Sequence, residues 1–205
     1  MEITGAILAG GKSRRMGRDK ATLPFKNKPL ITYVHGIVKQ VLPEVFIISK
    51  HHTAIEGIEC PIFKDITPKE GSLVGIASAL LYATTDYVFV VGCDLPFIRK
   101  ETIVYMMEQA HGQDIVIPRT DAGYEPLHAV YNRSCLPHIL RAIDRNRIKI
   151  TDLLPFLSVK VVREPALFVN RGVSIFTNVN TEEDLALAER LIRECDDKGD
   201  EGARP

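Results

Sequence analysis

The chain has 205 residues, of which 45% are hydrophobic and 25% charged, and its formal net charge is zero. This length suits one α/β domain with a sizeable core. The balanced charge gives no indication of a nucleic-acid or membrane partner, and no apolar segment approaches the ~18 residues of a membrane span.

Two further features lead us to expect a cytoplasmic protein. The first residues lack the basic and apolar segments of a secretory signal. The four cysteines lie far apart and form no CxxC motif. This spacing is typical of reduced thiols and not of a zinc site or a disulfide framework.

The first predicted element is a short apolar strand that ends in two glycines. Residues 6–9 (AILA) read as a buried strand of a parallel sheet, and Gly10-Gly11 permits a sharp turn with bare N–H groups. Five cations follow within nine residues: Lys12, Arg14, Arg15, Arg18 and Lys20. Cations beside such a turn indicate a polyanion, most naturally a nucleoside triphosphate, whose phosphates Arg15 and Lys20 would neutralise. The alternative is a strand-to-helix turn with a solvated basic face.

The same stretch fits a relaxed P-loop pattern from Ala6 to Ser13. A P-loop must continue directly into a helix that carries its Lys and Ser. Gly17, Asp19 and Pro24 make a helix there unfavourable, so this interpretation is the weaker one but stays open.

After the basic loop, strand and helix patterns alternate along the chain. Helical periodicity predicts helices over 30–42, 73–83, 99–111, 136–146, 151–157 and 182–194. Short apolar runs predict strands over 45–48, 60–63, 87–91, 115–117, 127–131 and 159–163. We expect Pro118 to end its strand, residues 119–125 to form a loop, and Thr181 to cap the last helix. Residues 1–195 then form one domain, followed by a disordered tail over 196–205.

This alternation predicts a mostly parallel sheet with helices on both faces. Ligands of such sheets bind beyond the carboxyl ends of the strands. The polar groups expected to converge at that edge are Gly10-Gly11, Ser49, Asp65 and Asp94.

Asp94 directly follows the strongest strand and precedes Leu95-Pro96, which makes it a good ligand for Mg²⁺ together with phosphate oxygens. An Asx-turn aspartate is the equally simple alternative. Asp65 could accept hydrogen bonds from a base or ribose, or be an ordinary turn residue. Asn178 and Asn180 lie on one side of an extended segment and could hold a polar second substrate.

These motifs resemble the MobA-type nucleotidyltransferases. The segment from Leu8 to Lys20, LAGGKSRRMGRDK, is similar to the signature LAGGxSxRMGxDK of that family. Further matches follow in the family's order: Lys28-Pro29-Leu30, Asp65, residues 71–75, residues 93–97 and residues 178–181. The resemblance implies a Rossmann-like three-layer α/β/α fold of the GT-A-like, nucleotide-diphospho-sugar transferase type.

The resemblance also implies a molybdenum cofactor guanylyltransferase, which attaches GMP from GTP to the molybdopterin cofactor, releases pyrophosphate and uses Mg²⁺. Carried over by position, the nucleotide-binding residues would be Leu8, Ala9, Gly10, Gly11, Lys20, Ser49, Asp65 and Asp94. Asp94 would also bind Mg²⁺, and Arg15, Lys20 and Asp94 would be catalytic. Asn178 and Asn180 would lie toward the pterin.

The chain departs from the family pattern at three places. Ser49 replaces a frequent Asn, Ser72 replaces the usual Pro, and Glu125 precedes Pro126 where His or Gln is common. Family members that use CTP usually carry Ala at the place of Gly10, so glycine here favours the larger purine.

Other functions stay open from the sequence. They are nucleotidyl transfer to another phosphorylated acceptor, a P-loop NTPase, and a non-catalytic GTP-binding protein that delivers cofactor to molybdoenzymes.

Overall fold

A mixed, mostly parallel sheet forms the centre of the computed structural model, which describes residues 1–10, 20–50, 54–147, 149–170 and 172–200. The strands are β1 (Ile3–Leu8), β2 (Pro24–Phe25), β3 (Lys28–Pro29), β4 (Val45–Ile48), β5 (Ile62–Phe63), β6 (Tyr87–Gly92), β7 (Ile115–Thr120), β8 (Gly123–Tyr124), β9 (His128–Asn132), β10 (Val159–Val162), β11 (Val169–Asn170) and β12 (Val173–Ser174). The central sheet has the order β10-β7-β9-β6-β1-β4-β5, and β8 pairs with β7.

Strand direction in this sheet confirms the predicted fold class. β1 is parallel to β4 and β6, β4 is parallel to β5, and β7 is parallel to β10. Only β9, inserted between β6 and β7, runs antiparallel to both of its neighbours in that order. The other six strands therefore all direct their carboxyl ends to one edge.

Helices cover both faces of the sheet, as the alternating pattern predicts. They are α1 (Leu30–Lys39), α2 (Ser72–Tyr82), α3 (Lys100–Glu108), α4 (Leu136–Asp144) and α5 (Glu182–Asp200). Successive side chains of β1 point to opposite faces, so Ile7 packs in the cluster with α1 and α3, and Ala6 packs in the cluster with α2 and α4. None of the described helices is long and apolar enough to cross a membrane.

Pro118 does not end its strand, contrary to our expectation. β7 runs through it to Thr120, and residues 119–124 form a hairpin with β8 where we expected a loop. Proline is tolerated because pairing with β9 ends at Val116 and pairing with β8 begins at Arg119. The missing N–H of Pro118 therefore removes no bond to either strand.

Two helix predictions also need correction. Residues 151–157 form two 3₁₀ turns, Ile150–Asp152 and Leu154–Phe156, because Pro155 lacks an N–H and disfavours α geometry at the residue before it. The last helix continues to Asp200, so residues 196–200 are helical where we expected disorder. The rest of the predicted tail, 201–205, lies outside the described residues.

Thr181 begins this last helix as predicted. Its Oγ1 accepts a hydrogen bond from the Asp184 backbone N–H at 3.0 Å, and an Asp184 carboxylate oxygen accepts one from the Thr181 N–H at 2.9 Å. This reciprocal pair satisfies two otherwise unpaired donors at the start of the helix.

Candidate active site

The ends of three neighbouring strands place the predicted residues at one edge of the sheet. Leu8, the last residue of β1, pairs with Ile48 on one side and Gly92 on the other. Beyond the strands, the Ala9 N–H donates to the Ile48 carbonyl at 2.8 Å, and the Cys93 N–H donates to the Leu8 carbonyl at 3.1 Å. The chain segments that carry Gly10, Ser49 and Asp94 therefore leave the sheet side by side.

The carboxylate of Asp94 lies folded over Gly92. A Cβ atom built on Gly92 would be 2.7 Å from Asp94 Oδ1, closer than real Cβ contacts occur. Only glycine at position 92 therefore permits this position of the carboxylate, which is half-buried. The sequence motif places Asp94 after a strand but does not identify the glycine two residues earlier as the reason for its orientation.

The segment with the two predicted asparagines docks directly against Asp94. The Val179 N–H donates to the Asp94 carbonyl at 2.9 Å. Val179 is buried, whereas Asn178 and Asn180 on either side of it are exposed. The structure therefore brings together Asp94 and the asparagine pair, which are more than 80 positions apart in sequence.

Asp65 lies on the other side of the strand ends, close to Gly10. Among the described residues, Asp65 Oδ2 is the nearest atom to a Cβ built on Gly10, at 4.0 Å. The Ser78 hydroxyl donates to Asp65 Oδ1 at 3.2 Å. Burial raises the pKa of the Asp65 carboxyl, and the Ser78 hydrogen bond and the charge of Lys50 offset part of that effect. Sequence patterns did not predict the contribution of Ser78.

Ser49 differs from the other predicted contacts because only 1% of its surface is exposed. Its N–H donates to the Phe63 carbonyl at 2.9 Å. Leu8 and Ala9 are also mostly buried, at 7% and 3% exposed. Ser49 therefore lies beneath the edge, while Gly10 is exposed at it.

Two predicted residues of the basic loop, Gly11 and Arg15, lie outside the described residues. Lys20 begins a 3₁₀ turn, Lys20–Thr22, and only the backbone of Lys20 is described.

Strand β1 contradicts the P-loop interpretation. Ala6, where that pattern would begin, is inside β1 and pairs with Phe46 and Val90, and the first α-helix of the described residues begins only at Leu30.

Comparisons with known proteins agree with this architecture. The family model described as "MobA-like NTP transferase domain" matches residues 5–161. The chain belongs to the MobA-like NTP transferase family.

Curated relatives of this MobA-like transferase cover almost the whole chain. A "Probable molybdenum cofactor guanylyltransferase" from Pelotomaculum thermopropionicum is 37% identical over 92% of this chain and 92% of its own. A "Molybdenum cofactor guanylyltransferase" from Desulfosudis oleivorans is 35% identical over 93% of this chain and 96% of its own. The domain and these relatives identify an enzyme of the nucleotidyltransferase class.

Solved structures show the same fold. Molybdopterin-guanine dinucleotide biosynthesis protein A from Archaeoglobus fulgidus superposes with a TM-score of 0.78 at 28% identity, over 95% of this chain and all of the other. A cytidylyltransferase for 2-C-methyl-D-erythritol 4-phosphate from Thermus thermophilus has a TM-score of 0.69 at 16% identity, over 94% of this chain and 100% of its own. The second similarity supports the fold alone.

Beyond Asp94, the MobA-like transferase has a second group of polar residues that sequence patterns did not predict. A cavity of about 520 Å³ opens beside the β7–β8 hairpin and is lined by Arg119, Thr120, Asp121, Arg163, Pro165, Phe168, Val169 and Ser174. Half-buried Glu125 lies just after the hairpin. Burial raises the pKa of its carboxyl, and a hydrogen bond with Thr120 offsets part of the effect.

A buried histidine connects this region to the centre of the sheet. The ring of His128 makes edge contacts with Phe89 and Phe176, at centroid distances of 5.1 and 5.6 Å. Neither of its ring nitrogens has a hydrogen-bond partner among the residues that the structure describes. Burial lowers the pKa of His128 to about 4, so the imidazole is neutral at physiological pH.

Proposed function

We propose that this protein transfers GMP from GTP to the phosphate of the molybdopterin cofactor and releases pyrophosphate. One observation carries the proposal: Asp94 lies at the end of β6, beside the strand that leads to Gly10, and the Asn178–Asn180 segment docks on its backbone carbonyl. Two substrates bound on opposite sides of Asp94 would meet there. The names of the curated relatives and of the Archaeoglobus protein support this choice of substrates.

We call the group of Leu8, Ala9, Gly10 and Asp65 the nucleotide side. Among the described residues, the atom nearest to a Cβ built on exposed Gly10 is Asp65 Oδ2, at 4.0 Å, which favours space for a purine nucleoside. Asp65 would accept hydrogen bonds from the base or ribose. Gly11, Arg15 and Lys20 complete the proposed nucleotide site as sequence-based predictions, and buried Ser49 would support this side from below.

We call the group of Asn178, Asn180 and the cavity beside the β7–β8 hairpin the acceptor side. Both asparagine side chains are exposed, and the Val179–Asp94 bond holds the segment between them against the reacting centre. Amide groups both donate and accept hydrogen bonds, which suits the polar atoms of a pterin.

Asp94 would hold Mg²⁺. The described residues contain no group of three or more metal-ligating side chains, and Asp94 is the carboxylate that we propose as the metal ligand. One carboxylate is sufficient for Mg²⁺, which commonly takes its other ligands from substrate phosphates and water. When bound, Mg²⁺ would offset negative charge on the phosphates of GTP.

In the proposed reaction, an oxygen of the acceptor phosphate attacks the α-phosphorus of GTP. A bond forms between that oxygen and the α-phosphorus, the bond from the α-phosphorus to the oxygen bridging to the β-phosphorus breaks, and pyrophosphate leaves. Positioning and charge neutralisation carry most of the catalysis in such transfers. Arg15 and Lys20 are the side chains that we propose for the developing charge.

The test is an incubation of the protein with molybdopterin, Mg²⁺ and each nucleoside triphosphate in turn, with products identified by mass spectrometry. We expect the guanine dinucleotide and pyrophosphate from GTP, and little product from CTP in competition. Preference for CTP would change the proposed nucleotide. Steady phosphate release from GTP without an acceptor would indicate an NTPase instead.

We also propose molybdoenzymes as partners, on the basis of the family resemblance. Co-purification with a molybdoenzyme of the same organism, compared in the presence and absence of GTP, tests this partner.

A further inference from the structure

Glu125 carries a half-buried carboxyl group and is not part of the proposed nucleotide site. Its backbone is held on both sides, because its N–H donates to the Pro118 carbonyl at 3.0 Å and its carbonyl accepts from the His128 N–H at 3.2 Å. These bonds tie the residue to the end of β7 and the start of β9. Glu125 therefore occupies a defined position on the acceptor side.

The turn that carries Glu125 adjoins the reacting centre. The Gly92 N–H donates to the Leu127 carbonyl at 3.0 Å. A Cβ atom built on Gly92 would be 3.7 Å from Leu127 Cδ1 and 2.7 Å from Asp94 Oδ1. Glu125 is thus two residues from a side chain that lies beside the Asp94 carboxylate.

Burial disfavours the ionised form of this carboxyl group, and a hydrogen bond with Thr120 offsets part of that effect. No cation forms an ion pair with it in the part of the chain that the structure describes. A half-buried carboxylate without such a partner is costly unless a ligand supplies hydrogen-bond donors.

We infer that Glu125 recognises the pterin ring of the acceptor by accepting hydrogen bonds from the ring N–H and the exocyclic amino group of its pyrimidine edge. This inference rests on the proposed function, which supplies a pterin. A carboxylate offers two acceptor oxygens side by side, and the pterin edge offers two parallel N–H donors.

The sheet order separates this carboxyl group from the one on the nucleotide side. Asp65 follows β5 and Asp94 follows β6, three strands apart, whereas β7, which leads to Glu125, is two strands from β6 on the other side. Guanine and a pterin present the same pyrimidine edge. With Asp65 as acceptor for guanine and Glu125 as acceptor for the pterin, one ring would lie on each side of Asp94.

A cavity near Glu125 has a volume typical of small-molecule sites. Thr120, which bonds the carboxyl group, also lines the cavity of about 520 Å³. Small-molecule sites typically occupy ~300–1,000 Å³.

The test uses Glu125→Gln in the full-length protein. The amide keeps the shape but presents a donor where the pterin also presents one. We expect the KM for molybdopterin to rise about 10- to 100-fold, as for loss of hydrogen bonds to a charged group, while the KM for GTP stays unchanged. Titration of molybdopterin alone, followed by pterin fluorescence, should show the same loss of affinity.

Glu2→Gln is the matched control, because Glu2 is exposed at the opposite edge of the sheet, before β1. Circular dichroism and Tm should be unchanged for both variants. An unchanged KM for molybdopterin in Glu125→Gln, or an increase confined to GTP, overturns the inference. Failure of the proposed function is distinguishable, because the wild-type protein itself would then form no guanine dinucleotide from molybdopterin.

Discussion

The nucleotide side and the acceptor side lie at the same edge of one sheet but are built in different ways. The nucleotide side consists of residues that directly follow parallel strands: Gly10 comes after β1 and Asp65 after β5. The acceptor side consists of a hairpin, an antiparallel strand and a docked segment, joined by the Val179–Asp94 bond and the ring contacts of His128.

Because of this difference, we expect the two sides to respond differently to substitutions. Each nucleotide-side residue depends on its own strand, whose register the parallel sheet determines. The acceptor side depends on contacts between distant segments, such as the Asn170 side-chain amide that donates to the Phe97 carbonyl at 2.9 Å and the Arg99 guanidinium that donates to the Val169 carbonyl at 2.9 Å. Asp94 is the proposed reacting centre for both substrates, so its replacement should give the largest effect.

Asp94→Ala should reduce turnover on the order of 10³-fold, because it removes the proposed Mg²⁺ ligand where charge develops. The rate of pyrophosphate release at saturating Mg²⁺ measures this. Asp86→Ala is the control, since Asp86 is exposed just before the opposite end of β6. A near-normal rate for the Asp94 variant would remove the metal assignment.

Lys20→Ala should reduce turnover about 10²-fold, whereas Lys12→Ala should be mild. In the proposed nucleotidyltransferase, Lys20 would contact the phosphates from the far end of the loop. In a P-loop, Lys12 would be the essential cation. Product formation, with Tm as a check on folding, compares the two. The reverse order of activities would contradict the mechanism on the nucleotide side.

Gly92→Ala should reduce turnover about 10- to 100-fold, because the new methyl group would displace the Asp94 carboxylate from its position. We also expect a higher Mg²⁺ concentration for half-maximal rate. Gly36→Ala is a matched control in α1, where a Cβ meets no atom within 4 Å. That variant should gain about 0.5–1 kcal/mol of stability and keep its turnover. Equal turnover in both variants would show that Gly92 does not position Asp94.

His128→Leu should have the smallest effect on turnover and should instead change the pH dependence of stability. The folded-state pKa of His128, about 4, is below the unfolded value of 6.5. As pH falls from 6.5 toward 4, the unfolded chain takes up a proton that the folded chain does not, so the wild type loses stability. Between pH 7.5 and 4.5 this loss should be roughly 2–3 kcal/mol.

Urea unfolding of the wild type and of His128→Leu at these two pH values isolates the imidazole. The raised pKa values of Asp65 and Glu125 act in the opposite direction, and both groups are present in both proteins. Equal losses of stability in the two proteins would show that His128 is not buried as a neutral group.

Sequence patterns by themselves determined the α/β class, the strands that precede Gly10 and Asp94 and the capped last helix, because each depends on the periodicity or capping of a short segment. They also predicted that Gly10, Asp65 and Asp94 lie at one edge, since parallel strands share their carboxyl ends. The family resemblance predicted that Asn178 and Asn180 lie toward the second substrate.

Only the tertiary structure decided the orientation of Asp94 over Gly92, the Ser78 bond to Asp65, the continuation of β7 through Pro118 and the position of Glu125. Each depends on a contact that no short sequence pattern predicted. Pro118 continues a strand because it lies between the segments of β7 that pair with β9 and with β8, while β10 pairs along the other side. Glu125 adjoins the reacting centre because β9 runs antiparallel beside β6. Such contacts exist only after the sheet has formed, since pairing between strands brings these side chains within reach of one another.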